Sequence, residues 1–207
     1  MADLFVTGTD TGVGKTLLSA LLVAGLGRSY WKPIQTGACE GTDRAAVMNW
    51  AGIPADRTYP ETFLFDRPVS PHLAAEETGM SIDLARIRRP ASAPPLIIEG
   101  AGGVFVPVND TAFMLDLMRQ LETPAVVAAR SALGTINHTL LTLAALRDWS
   151  IPLRGVVMIG KENRDNQRAI EHYGRVRVVG SIPWLETINR QVLLSVFERH
   201  FDATAFV

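Results

Sequence analysis

A single cysteine, Cys39, leaves this chain without a partner for an internal disulfide, and a reducing compartment suits it. Charge of either sign is not in excess: 20 Lys and Arg stand against 21 Asp and Glu, a formal net charge of −1. That balance gives no electrostatic hold on nucleic acid or on an anionic membrane, so neither is expected as a partner. No run of about 18 apolar residues occurs, which argues against a membrane-spanning helix. "MADLFVTG" has neither a basic stretch nor a long apolar one, so no signal peptide is expected and a cytoplasmic location is. His72, His138, His172 and His200 are too widely separated to suggest metal-ligand spacing. Arg86, Arg88 and Arg89 form a local basic cluster, which beside "PASAPP" reads as a solvated helix end.

What is present is an ordinary globular composition, 47% hydrophobic and 20% charged. With 207 residues, one domain spanning 1–207 is expected, large enough to bury a sizeable core. Short apolar runs alternate with helical patterns: "LFVT" (4–7), "YWKPI" (30–34), "LIIE" (96–99), "AVVAA" (125–129), "GVVMI" (155–159) and "VRVVG" (176–180). Leu17, Ala20, Leu21 and Ala24 recur at helical spacing, as do Leu140, Leu141, Ala144 and Ala145. Runs such as "AVVAA" are apolar throughout, as strands buried on both faces are. The alternation predicts an α/β fold: a single doubly wound, mostly parallel sheet with helices on both faces and ligands at the strands' carboxyl ends. Segment 53–95 carries seven of the 12 prolines and reads as loops and short helices over that edge. The C-terminal "INRQVLLSVFERHF" is amphipathic with mixed charge and is expected to pack on the sheet.

"GTDTGVGKT", Gly8 to Thr16, lies between a predicted strand and a predicted helix and matches a glycine-rich phosphate cradle. Its spacing departs from the common form, with five residues between Gly8 and Gly14 and Thr9 at the usual glycine position. Gly12 and Gly14 let backbone N–H groups turn inward around phosphate oxygens, and the helix adds the positive end of its dipole. Lys15 would reach the β- and γ-phosphates, and the Thr16 hydroxyl would meet Mg²⁺. Glu99 ends an apolar strand just before glycines, a natural place for a carboxylate that meets the metal. Asp43, in "EGTDRAAVMNWAG", reads equally well as a metal ligand or, with Thr42, as a helix cap.

These motifs together resemble dethiobiotin synthetase, a P-loop NTPase family. "VTGTDTGVGKT", "WKPIQTG", an Asp before a helix, "SPHLAAEE", "IEGAGG", "LGTINH" and "IPWL" occur in the family's order from residue 6 to 185. The resemblance implies an ATP-dependent cyclo-ligase of biotin synthesis. It would join 7,8-diaminopelargonate (7,8-diaminononanoate) and CO₂ into the ureido ring of dethiobiotin, through a carbamate and a carbamic–phosphoric anhydride. It implies Lys15, Lys32 and Thr11 as catalytic groups, with Thr16, Asp43 and Glu99 as Mg²⁺ ligands. The nucleotide would meet Gly12, Val13, Gly14, Lys15, Thr16, Leu17, Asp43, Glu99, Gly100, Ala101 and Gly102, with Pro183, Trp184 and Leu185 against its base. Thr36, Gly102 and Gly103 would touch the diamine. Gly134, Thr135, Ile136 and Asn137 would hold its carboxylate tail across a homodimer interface.

The chain departs from the family's pattern at two positions. Gly12 replaces an acidic residue found in some members. Ile159 stands where the family often has an Asn that reads the adenine edge, so weak discrimination among nucleoside triphosphates is expected. Two other P-loop classes compete. A corrinoid amidoligase normally adds a glutaminase domain, for which 207 residues leave no room. An ATPase switch of the partitioning type carries a lysine early in the loop, where Thr9 and Asp10 stand here.

Overall fold

Apolar runs and helical patterns alternate through residues 2–206, which the computed structural model describes; the expected domain also includes Met1 and Val207, outside the described residues. Strands β1 (Leu4–Gly8), β2 (Ser29–Trp31), β4 (Thr58–Tyr59), β6 (Leu96–Gly103), β7 (Ala125–Arg130), β8 (Leu153–Ile159) and β9 (Val178–Ile182) form one sheet, in the order β4-β2-β6-β1-β7-β8-β9. Its pairs are parallel. A second, two-stranded sheet joins β3 (Ile34–Gln35) to β5 (Phe63–Leu64). The helices are α1 (Lys15–Leu26), α2 (Asp43–Ala51), α3 (Pro71–Glu77), α4 (Met114–Gln120), α5 (Thr135–Asp148), α6 (Arg164–Gly174) and α7 (Arg190–His200). Strand order reverses at β1, so a crevice opens at the carboxyl end of the central strand, where such folds take their ligands.

Strand alternation divides the core in two. Phe5, Ile98, Val127 and Val156 face one layer, under α4, α5 and α6. Leu4, Val6, Ile97, Val126 and Val157 face the other, under α1, α2 and α7. Each large side chain fully buried this way stabilises the fold by about 1.5–3 kcal/mol. Helix α1 is buried continuously from Leu18 to Ala24, because sheet, α2 and α7 enclose it.

The expected elements appear with three differences. "YWKPI" is not one strand: β2 stops before Lys32, and β3 restarts after Pro33, which has no N–H to offer a ladder. The Pro33 carbonyl accepts instead from Thr62 and Phe63, which seeds the small sheet. The last strand begins at Val178, two residues later than the apolar run suggests. On α5, Leu141 and Ala144 are exposed; Leu143 and Leu146 face the core. Helix α7 packs chiefly on α1: a Cβ at Gly25 would fall 2.5 Å from the Phe197 ring. It also packs on the sheet as expected, Leu193 and Val196 sharing the core layer with Val157, Val179 and Ile182, and Phe201 just beyond it lies against Gly180. Segment 53–95 does consist of loops and short elements.

Candidate active site

The sharp turn from β1 into α1 requires left-handed backbone at Gly12 (φ 69°) and Gly14 (φ 100°). Gly14 caps α1 without a side chain, leaving the first N–H groups of the helix free to meet an anion. Val13 is buried in the core between them. Asp10 stiffens the loop: its Oδ1 accepts the Thr11 N–H at 2.7 Å and its Oδ2 accepts from the Arg130 guanidinium at 2.8 Å. Its backbone carbonyl accepts from Lys15 Nζ at 3.1 Å. Burial lowers the Lys15 ammonium below the ordinary lysine range, Lys32 adding repulsion while Glu99 and Asp43 partly compensate.

Beside the loop, oxygens from three elements converge. Thr16 Oγ1 lies 2.9 Å from both Asp43 Oδ1 and Glu99 Oε1, and donates to one at a time. Thr42 caps α2 by accepting the Ala45 N–H at 3.2 Å, so Asp43 is released from capping and can face the cavity. Gln35 Oε1 accepts the Asp43 N–H at 3.1 Å and fixes the start of that helix. Lys32 forms an ion pair with Asp43 Oδ2, and its Nζ lies 3.6 Å from Glu99 Oε1. Burial opposes the charge on Lys32, but Glu99 and Asp43 outweigh it and hold the ammonium above the ordinary lysine range. On the far side of Glu99, the Tyr30 hydroxyl donates to Oε2 at 3.0 Å. Burial, then the Glu99 and Asp43 charges, push this phenol well above its usual range, so it stays a donor.

A cavity of 670 Å³ is lined by Thr11, Gly12, Gly14, Lys15, Thr16, Leu17, Lys32, Thr36, Asp43, Glu99, Ala101 and Gly102. Twelve positions singled out from sequence thus share one wall. The others lie elsewhere. Gly100 faces the core, where a Cβ would be 2.8 Å from Phe5. Gly103 joins His138 and Leu141 around a neighbouring cavity of 480 Å³. Trp184, 82% exposed, borders a third cavity of 430 Å³ with Arg130 and Ile159, on the other side of Gly12, Gly14 and Leu17. Pro183 lies by α7, and Leu185 packs on the core. At the start of α5, Gly134 and Asn137 are exposed, Ile136 is half-buried and Thr135 is buried; none of the four lines the 670 Å³ cavity. Sequence reasoning missed Tyr30 and Gln35. Tyr30 carried one usable signal: it precedes Lys32 by two residues on a strand, and so shares its face.

Among the described residues no group of three or more His, Cys, Asp or Glu side chains could hold a metal by itself. A hydroxyl with two carboxylates suits a cation that takes its remaining oxygens from phosphate and water, as Mg²⁺ does.

A glycine-rich loop at the carboxyl end of a central parallel strand, with lysine and hydroxyl opening the next helix, defines a P-loop nucleotide-binding protein. The chain resembles a ParA family ATPase from Chlorobium tepidum (TM-score 0.57, 13% identity, 96% of this chain and 93% of that one). It also resembles the MinC:MinD cell division complex of Aquifex aeolicus (TM-score 0.52, 12% identity, 90% of this chain and 82% of that one). A family model described as an AAA domain matches residues 2–192. An ATP-dependent dethiobiotin synthetase BioD of Paramagnetospirillum magneticum is 52% identical over 91% of each chain. Another, from Rhodopseudomonas palustris, is 44% identical over 99% of this chain and 96% of that one. The chain belongs to the dethiobiotin synthetase family.

Proposed function

We propose that the chain catalyses ring closure of 7,8-diaminopelargonate with CO₂ to dethiobiotin, converting ATP to ADP and phosphate. Family membership supports the reaction, and one observation supports its location: two buried lysines, Lys15 and Lys32, border the same cavity as Thr16, Asp43 and Glu99. Thr16, Asp43 and Glu99 would hold Mg²⁺, which when bound would neutralise charge on the nucleotide's terminal phosphates.

One amine of the substrate bonds to the carbon of CO₂ and loses a proton, giving a carbamate. Lys32 pairs with that anion and retards loss of CO₂. A carbamate oxygen then displaces ADP from the γ-phosphorus; Lys15 and the free N–H groups of α1 meet the charge that grows on the phosphoryl oxygens. Thr11, which borders both the 670 Å³ and the 480 Å³ cavities, would meet the carbamate and the γ-phosphate. The second amine attacks the activated carbonyl carbon, phosphate leaves, and the five-membered ring closes. Because both amines belong to one bound molecule, orientation can supply about 7–11 kcal/mol of the barrier to this last step. Thr36, Gly102 and Gly103 would position the diamine. Gly12, Gly14 to Leu17 and Ala101 would receive the nucleotide, with Val13 and Gly100 buried behind them, and its base would lie by Pro183, Trp184 and Leu185.

The same reading makes the protein one cytoplasmic domain acting as a homodimer, with Gly134, Thr135, Ile136 and Asn137 presenting the start of α5 to the partner's substrate. No described helix is long and apolar enough to cross a membrane. Likeness to the partitioning ATPases extends to the fold alone, and Thr9 and Asp10 stand where their loop lysine would be. The experiment is mass spectrometry of purified protein incubated with diamine, bicarbonate, Mg²⁺ and ATP. A product heavier than the diamine by one carbonyl, less two hydrogens, is the expected result. ATP turnover that ignores the diamine and responds to DNA or a partner protein would overturn the assignment.

A further inference from the structure

Glu99 is 1% exposed, and its two oxygens have different company. Oε1 faces Thr16 at 2.9 Å and Lys32 at 3.6 Å, at the cavity wall. Oε2 is taken by the Tyr30 hydroxyl at 3.0 Å. The arrangement follows from the sheet. Tyr30 pairs with Ile97 and Trp31 with Ile98 in parallel register, so Tyr30 and Lys32 address the same face as Ile97 and Glu99. The Tyr30 ring is wholly buried, with no opening to substrate.

We propose that Tyr30 is a positioning residue that sets the metal preference of the nucleotide site: by occupying Oε2, it leaves Glu99 one oxygen for a cation. The inference rests on reading Asp43 and Glu99 as groups that meet nucleotide-bound Mg²⁺. Mg²⁺ is small, demands near-octahedral geometry and takes carboxylates through single oxygens while keeping waters. Ca²⁺ is larger, accepts six to eight oxygens and readily takes a carboxylate by both. Two-oxygen contact at Glu99 would require breaking a buried hydrogen bond to a charged group and leaving the Tyr30 hydroxyl unpaired. The fixed carboxylate therefore penalises Ca²⁺ and presents Mg²⁺ with a single ready oxygen. A hydroxyl used only for packing would have no such effect.

The test is calorimetric titration of a non-hydrolysable ATP analogue into the purified protein over a range of Mg²⁺ or Ca²⁺ concentrations, for the unaltered chain and for Tyr30→Phe, which keeps the ring. For Tyr30→Phe, which frees Glu99 Oε2, the Ca²⁺ concentration giving half-maximal binding is expected to fall about five- to tenfold, with that for Mg²⁺ unchanged or raised. Unchanged preference, or equal shifts for both ions, overturns the inference. Nucleotide binding that ignores Mg²⁺ in the unaltered chain overturns the metal reading itself, and the inference with it. If Tyr30→Phe does not fold, the double variant Tyr30→Phe/Glu99→Gln, which removes the buried charge, is compared with Glu99→Gln alone. Equal ion preference in those two supports action through Glu99, and a further change in the double variant overturns it.

Discussion

The chain has three lysines, Lys15, Lys32 and Lys161, against 17 arginines in its 20 basic residues, and two of the three are buried at the site. A compact ammonium can approach a small anion where a planar guanidinium would not fit. Lys15→Ala and Lys32→Ala are each expected to lower turnover by about 100-fold or more. Circular dichroism would show both variants folded; near-normal turnover in a folded Lys32→Ala protein would remove that residue from the mechanism. Ile159 makes a separate prediction. Its side chain borders the 430 Å³ cavity and lies so near the loop that a Cβ on Gly14 would be 3.0 Å from its Cδ1. It offers a nucleobase no hydrogen bond, so kcat/KM for ATP over CTP or GTP should stay below about 100-fold. Ile159→Asn should raise that preference, and steady-state kinetics with the three nucleotides would measure both. Lys15, Thr16 and Glu99 were legible because each sits in a short motif with its own chemistry. Tyr30 and Gln35 were not, because their contacts depend on which strands and loops become neighbours.

At the scale of elements, the strands were legible wherever both faces are buried, since "AVVAA" and "GVVMI" have no polar side to show. The break after Lys32 was not, although Pro33 marked it: a proline tells where a ladder must stop, but not which strand takes up the chain afterwards. On α5, apolar residues lie on both sides, so periodicity found the helix and not its buried face. Asp43 became interpretable only when Thr42 was seen to do the capping; Thr42→Ala should cost about 1 kcal/mol and weaken nucleotide binding, as measured by denaturation and calorimetry. Asp3, just before β1, ties two neighbours together. Its Oδ1 accepts the Leu96 N–H at 2.8 Å and pairs with Arg89 at 2.9 Å. Burial alone would raise the Asp3 carboxyl, but the Arg89 and Leu96 hydrogen bonds prevail and hold it below 3.8. A carboxyl depressed on folding adds stability that is full above the unfolded value and disappears as pH falls through the folded one. The stability lost in Asp3→Asn should therefore be constant from neutral pH down to about pH 5 and shrink below 3.8. Urea denaturation of both proteins across that range would show it.

For the whole molecule, the doubly wound sheet and the crevice at β1 were legible from the alternation of elements. The proposed homodimer rests on resemblance. Leu133 is fully exposed, Leu141 63% and Phe105 56% exposed, and Phe105 meets Phe113 edge to face beside the 480 Å³ cavity. The apolar surface that Phe105 and Leu141 share around that cavity suits contact with a second copy of the chain. If the unaltered chain sediments as the proposed dimer, Leu141→Asp, at an exposed position, should yield monomers with the thermal midpoint of the fold little changed; an unaltered chain that sediments as a monomer overturns the homodimer, and a variant that stays dimeric moves the interface elsewhere. The departure from the main sheet at Pro33 separates two foundations. Lys32 is anchored by β2 beside Glu99, whereas Thr36 to Gly41 rest on the small β3–β5 pair. Because Gln35 of that pair also accepts the Asp43 N–H, and Asp43 pairs with Lys32, a substitution that shifts the small sheet should carry over to the buried charges, so the two halves of the cavity are bound to change together.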